Sequence, residues 1–191
     1  MKILVTGSSG SIGTRLCEKL LAAGIEIIGM DIKPNRWNEE INEKTIISDL
    51  CNPLQFVDKI DLIIHLAANA RVYELVENPS LAIDNIKMLF NVLEYCKKYD
   101  KKLIFTSSRE VYGNGDKTTY SESDLNIDNC ESQYAASKIA GESLIHSYNR
   151  CYNIEFIIVR LSNIYGMYDD SNRVIPLFTK LSKLNKSLTI S

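Results

Sequence analysis

Three side chains in the middle of the chain have the types and spacing for proton chemistry on an alcohol: Ser108, Tyr134 and Lys138. Tyr134 and Lys138 stand four residues apart, so on a helix they share a face. A nearby ammonium favours the phenolate and lowers a tyrosine pKa from about 10, which makes Tyr134 a general base near neutral pH. The hydroxyl of Ser108, 26 residues upstream, would hold the substrate alcohol. Tyr-x-x-x-Lys alone is a common pattern whose plain alternative is a solvated helix face, so its weight depends on what else the chain carries.

The first thirty-one residues carry the second constellation. Lys2-Ile3-Leu4-Val5 is an apolar run too short for a helix and rich in branched residues, as a buried strand is. Thr6-Gly7-Ser8-Ser9-Gly10-Ser11-Ile12-Gly13 follows at once, then Ile12, Leu16, Leu20 and Leu21 recur at helical spacing up to Gly24, a C-terminal cap. Ile25 to Met30 is a second apolar run, and it ends on Asp31, 18 residues beyond Gly13. In this order Gly7 permits a tight turn and Gly10 a close approach of backbone to a pyrophosphate. Gly13 lets the helix pack close to the sheet, and the helix N-terminus presents free N–H groups to the phosphates. A carboxylate at the end of the second strand binds ribose hydroxyls and repels a 2′-phosphate, so the pattern favours NAD over NADP. The candidate cofactor residues here are Gly7, Ser9, Gly10, Ser11, Ile12, Gly13, Asp31 and Ile32, and Lys138 is placed to reach the nicotinamide ribose.

These residues need a scaffold, and the remaining pattern supplies one. Strands are expected at Lys44–Ser48, Asp61–Ala68, Lys102–Thr106 and Ile154–Leu161. Helices are expected from about Pro53 through Leu54, Phe56, Val57 and Ile60, then over 79–99, 133–152 and 176–184, with a loop over 113–131. Alternating strands and helices predict an α/β fold with a doubly wound parallel sheet of the Rossmann type. The run at 154–161 is nearly all apolar and reads as the sixth strand. Small residues Ala67 and Ala68 at a strand's carboxyl end leave room for a ligand, since open α/β sheets bind at that edge.

The 191 residues are 45% hydrophobic and 24% charged, which suits one globular domain with a substantial core. A net charge of −2 without a long basic run argues against nucleic acid or an acidic membrane as partner, and no apolar run approaches a membrane span. The chain enters its first strand at once, so no signal or transit segment is expected. Five unclustered cysteines and two histidines argue for free thiols in a cytoplasmic protein and against a metal site. His65 ends an apolar strand and reads as a satisfied core histidine rather than a catalytic one. Asn85 reads equally as a backbone brace and as a functional amide.

Taken together, the chain resembles the extended short-chain dehydrogenase/reductase family, above all its NAD-dependent nucleotide-sugar epimerases and dehydratases. The likeness rests on the glycine turn, Asp31, Asp49-Leu50, His65-Leu66-Ala67-Ala68, Asn85, Ser107-Ser108-x-x-Val111-Tyr112-Gly113, Tyr134-x-x-x-Lys138 and Arg160-x-x-Asn163-x-Tyr165-Gly166. It implies that Asp49 and Leu50 sit by the adenine, that Leu66, Ala67 and Ala68 line the cofactor, and that Asn85 braces the site. It sets Arg71 where several epimerases carry a lysine that reaches the cofactor. Ser108, Tyr134 and Lys138 would be catalytic, and Ser108, Arg109, Glu110 and Asn163 would meet a nucleotide-sugar.

The implied activity is a nucleotide-sugar epimerase, most simply a 4-epimerase, working through a transient keto-sugar by reversible hydride transfer to tightly held NAD. The 4,6-dehydratases of this family carry Asp-Glu where this chain has Arg109-Glu110, which disfavours dehydration, while Glu110 leaves a decarboxylase as an alternative. The resemblance further implies a homodimer through the helices at 79–99 and 133–152. It also implies that the relatives' C-terminal substrate domain is largely absent, cut off after about residues 175–191 as a fragment or a natural short form. A non-catalytic NAD-binding module is the alternative from another class.

Overall fold

The computed structural model describes residues 1–55, 59–115 and 117–189. Its strands are β1 (Lys2–Thr6), β2 (Glu26–Asp31), β3 (Thr45–Ile47), β4 (Leu62–His65), β5 (Lys102–Ser108) and β6 (Phe156–Leu161). They form one sheet in the order β3-β2-β1-β4-β5-β6, with every pair parallel. Strand order reverses between β1 and β4, and the crevice at their carboxyl ends is where sheets of this topology bind ligands.

The helices are α1 (Ser11–Ala22), α2 (Glu39–Glu43), α3 (Val72–Glu77), α4 (Ser80–Tyr99), α5 (Gln133–Tyr152) and α6 (Val174–Lys183). Alternation along the strands explains why both faces are covered. Leu4, Ile28, Met30, Ile63, Leu103 and Phe105 point to the face that receives Leu89, Val92 and Leu93 of α4 and Ile145 of α5. Ile3, Val5, Ile27 and Ile64 point the other way, onto Cys17 of α1 and Ile41 of α2. Ile3, Leu4 and Val5 are at most 2% exposed, and burying each contributes about 1.5–3 kcal/mol. α1 ends as its sequence requires: Gly24 takes φ +72° and donates its N–H to Leu21, while Ile25 donates to Leu20.

The structure departs from the sequence reading in several places. α2 and α3 are too short to show a helical period and were not expected. Within 113–131 lie two single 3-10 turns, Glu122–Asp124 and Ile127–Asn129. Phe56 and Val57 of the expected 53–60 helix lie outside the described residues, and 53–55 and 59–60 are not helical. β6 is an edge strand, and its apolar run leaves Ile157 and Val159 58% and 37% exposed. The apolar run there is genuine, but α1 packs over β1 and β2, away from that edge. Beyond β6 the chain runs back to α1, where the Tyr168 hydroxyl donates to Glu18 and its ring meets Trp37 at 5.5 Å. Among the described residues no helix is long and apolar enough to cross a membrane.

Candidate active site

The amino-terminal half of the site is a cradle at the carboxyl ends of β1 and β2. Gly7 sits at φ +73°, and a Cβ there would lie 2.8 Å from the Ala67 nitrogen at the exit of β4. A Cβ on Gly13 would stand 2.0 Å from the Gly7 carbonyl oxygen, so only glycine lets α1 start this close to the turn. The first helical bond runs from the Thr14 N–H to the Gly10 oxygen. The N-cap is Gly10, which has no side chain to satisfy the N–H groups of Ser11, Ile12 and Gly13. An anion there meets both free donors and the positive end of the helix dipole.

Asp31 is fixed against that turn. Its carboxylate accepts the Ser9 N–H at 3.0 Å on one oxygen and the Lys33 N–H at 3.0 Å on the other. A carboxylate has about four acceptor positions, so room remains for a pair of hydroxyls. Asn35, which the sequence reading passed over, locks the loop after β2 to the cradle. Its buried amide donates to the Ser8 carbonyl and the Thr14 hydroxyl, and its oxygen accepts the N–H groups of Trp37 and Asn38. An uncapped helix start with a carboxylate held beside it fits the pyrophosphate and ribose of a dinucleotide.

The other expected cofactor residues divide. Leu66, Ala67 and Ala68 follow β4 into the crevice, half-buried, with Leu66 N–H bonded to the Thr6 carbonyl. Ile32 and Asp49 are exposed at the strand ends. Leu50 is 4% exposed, with its side chain in the core, and its carbonyl accepts the Asn91 amide at 2.8 Å. Asn85 has no free amide proton. It donates to the Asn69 carbonyl and to Ser137 Oγ, and accepts the Asn69 N–H at 2.7 Å, tying the loop after β4 to the first turns of α5. Arg71 is exposed and paired with Glu74 at 3.0 Å.

Ser108, Tyr134 and Lys138 lie at the carboxyl end of β5 and the first turns of α5. Ser132 caps α5 by accepting the Ala135 N–H, which starts the helix so that Tyr134 and Lys138 face β5. Ser108, 8% exposed, accepts the Glu110 N–H at 3.2 Å, and its hydroxyl faces Tyr134 closely enough to favour the phenolate. Lys138, 5% exposed, donates to the Thr106 carbonyl at 2.8 Å and stands 5.7 Å from the centre of the Tyr134 ring. Burial pushes the Lys138 ammonium down to about 8.

The tyrosine behaves differently from the sequence expectation. Burial raises the Tyr134 pKa, the Ser108 hydroxyl opposes that rise, and the Glu110 carboxylate adds to it. Lys138 does not pull it down here: burial sets the lysine at about 8, so it has lost its charge before a tyrosine above 10 ionises. His65 is the core histidine expected: 2% exposed, bonded through Nδ1 to Thr6 Oγ1 at 2.7 Å, and held neutral by burial with a pKa of about 3. Arg109 pairs with Glu110 at 3.1 Å on the turn after β5, and Asn163 is exposed just beyond β6.

The profile of the NAD dependent epimerase/dehydratase family matches residues 3–191. The chain belongs to that family. Its members are enzymes, and NAD is the family's cofactor. UDP-glucuronate 4-epimerase 4 of Arabidopsis thaliana is 31% identical over 98% of this chain and 47% of its own length. The structure of UDP-glucose 4-epimerase from Thermotoga maritima with UDP-glucose matches with a TM-score of 0.89 and 26% identity, over 100% of this chain and 65% of that one. The dTDP-glucose 4,6-dehydratase of Streptomyces venezuelae, solved with NAD, matches with a TM-score of 0.85 and 26% identity, over 98% and 64%. The chain therefore spans less than two thirds of the length of each.

Glu142, buried one turn beyond Lys138 on the same face, escaped the sequence reading, and Arg160 of β6 stood in a motif without a role. The Arg160 guanidinium grips the Glu142 carboxylate with two bonds of 3.0 and 2.7 Å. The signal was present, since Tyr134, Lys138 and Glu142 repeat every four residues. A lysine and a glutamate on the buried side of one helix are rare without a purpose.

Proposed function

We propose that this chain carries the NAD-binding and reactive part of a nucleotide-sugar epimerase, with the sugar's 4-position as the reacting carbon. The observation that supports this reading most is the Ser108–Tyr134–Lys138 cluster at the end of β5, in the same crevice that the glycine turn and Asp31 open onto. NAD, held by the Gly7–Gly13 turn, Asp31 and Lys138, would supply a hydride acceptor and a positive charge that favours the phenolate beside it. Ser108 would hold the sugar hydroxyl, and Tyr134 would remove its proton and later return it. The Lys138 ammonium, mostly charged at neutral pH, would reach the cofactor ribose.

Glu110 supports a second reading. It is close enough to oppose ionisation of Tyr134, so a carboxylate stands near the proposed base, as a decarboxylase or dehydratase would use. Its pairing with Arg109 at 3.1 Å favours the epimerase. Exposed Ile83 and Phe90 on α4 and Tyr152 on α5 support pairing of two copies through these helices. The functional test is product analysis after incubating the chain, and longer forms of it, with NAD and a panel of UDP-, dTDP- and GDP-sugars. A C4 epimer is expected. A chain that binds NAD yet converts none of them is a binding module instead.

A further inference from the structure

Beneath the reactive cluster lies a closed set of charges that the chemistry above does not use. The Glu142 side chain is 5% exposed and that of Arg160 15%. Glu142 accepts from Arg160 on both oxygens and from the hydroxyl of Ser107, the residue before Ser108. The other edge of the guanidinium donates to the Tyr112 hydroxyl at 2.9 Å and the Glu122 carbonyl at 2.8 Å, with the Tyr112 ring 5.0 Å away. Four pieces meet at this pair: α5, the end of β5, β6 and the segment from Arg109 to Asp124. A buried ion pair is a weak stabiliser, and an apolar pair of similar volume often serves stability as well or better. Its place here, one helical turn below Lys138, calls for another use.

We infer that Glu142 and Arg160 are positioning residues for the Ser108–Tyr134–Lys138 cluster. Glu142 fixes α5 against β5 and keeps Lys138 charged, and Arg160 holds the Tyr112–Glu122 wall in place. This rests on the reading of that cluster as the reactive one. Among the described residues, the groups that face Lys138 are Tyr134 and Glu142 on its own helix, the Thr106 carbonyl and Phe105 ring on β5, and His65 on β4, with Glu110 acting on Tyr134. Burial drives Lys138 toward neutrality, and His65 is neutral, so the Glu142 carboxylate is what opposes that drive. Replacing Glu142 by glutamine removes that opposing charge and leaves the Arg160 guanidinium without its carboxylate partner.

The test is a titration of the Lys138 ammonium by NMR at its Cε and Nζ, in cofactor-free protein, with Lys138→Ala used only to assign the signal. The parent lysine is expected to titrate near 8, and Glu142→Gln about one unit lower, as for loss of a nearby opposite charge. A folded Glu142→Gln protein with an unchanged Lys138 titration, altered only in melting temperature, would overturn the proposal. If Glu142→Gln does not fold, Tyr112→Phe carries the test, since it removes one oxygen from the edge of the network. Roughly tenfold faster amide exchange around Glu122 is expected, as for loss of one hydrogen bond to a charged group, and parental exchange there would overturn the proposal. NAD titration of the parent runs alongside: failure to bind NAD would sink the functional reading while leaving the lysine titration to stand or fall by itself.

Discussion

Replacing Asp31 with asparagine tests the cofactor cradle at its most determined point. Both carboxylate oxygens accept a backbone N–H at 3.0 Å, from Ser9 and Lys33. Asparagine has one acceptor oxygen, so its NH2 group must face one of those two donors. Ser9 and Lys33 are not fully buried, so water takes over the lost bond and stability falls by only about 0.5–1.5 kcal/mol. The ribose loses more, because a hydrogen bond to a charged group is worth about 1.5–3 kcal/mol. NAD binding should therefore weaken by about tenfold to a hundredfold. NADP should lose less or gain, since the charge that repels its extra phosphate is gone and Lys33 remains nearby. Calorimetric titration of both nucleotides into parent and variant reads the two effects separately. The single tryptophan, Trp37, gives a second signal, because Asn35 ties its loop to the glycine turn. An Asp31→Asn protein with parental NAD affinity and unchanged discrimination would refute the reasoning.

Two further outcomes follow. His65 is neutral in the fold down to a pKa of about 3 but titrates near 6.5 once unfolded, so between those values the unfolded chain holds one more proton and stability falls as pH falls. Between pH 7 and 5 this costs about 2 kcal/mol, and urea unfolding of His65→Asn, which can still bond Thr6, should show that much less acid sensitivity than the parent; parallel curves would exclude His65 as the cause. Phe90, 45% exposed on α4, should lie in the proposed contact between copies, so light scattering should find the parent dimeric and Phe90→Asp monomeric at the same concentration.

What the sequence revealed and what it hid divide along a physical line. β1, the glycine turn, α1 and Asp31 were legible because each depends on neighbours within a few residues: a branched run, a turn that only glycine can make, a helical period and a fixed spacing. Tyr134 and Lys138 were legible for the same reason, as partners on one helix face. The direction of the Lys138 ammonium was not, since the Thr106 carbonyl that takes it comes from β5, 32 residues earlier. Asn85 could be read either way until Asn69 and Ser137 were seen to consume its amide. That the Leu50 side chain packs in the core beneath α4 was not legible, because its neighbours there come from distant segments. For β6 the apolar run was legible while the exposure of Ile157 and Val159 was not, because burial depends on what packs from elsewhere. α2 and α3 span 5 and 6 residues, too few for a period to stand out. The Asn38 cap, which accepts the Ile41 N–H ahead of Glu39 and Glu40, was the one local sign of α2.

The measurement that bears most directly on the central claim is single-turnover formation of reduced nicotinamide by Tyr134→Phe, followed by its near-ultraviolet absorbance with a sugar nucleotide that the parent converts. The substitution removes one oxygen, leaves the packing against α5 in place and touches neither the glycine turn nor Asp31. NAD affinity should stay at the parental value while the rate falls by about 10² to 10⁴, the usual cost of losing a general base. Reduced cofactor appearing in Tyr134→Phe as fast as in the parent would contradict the assignment of Tyr134 as the base, and with it the reading of the site.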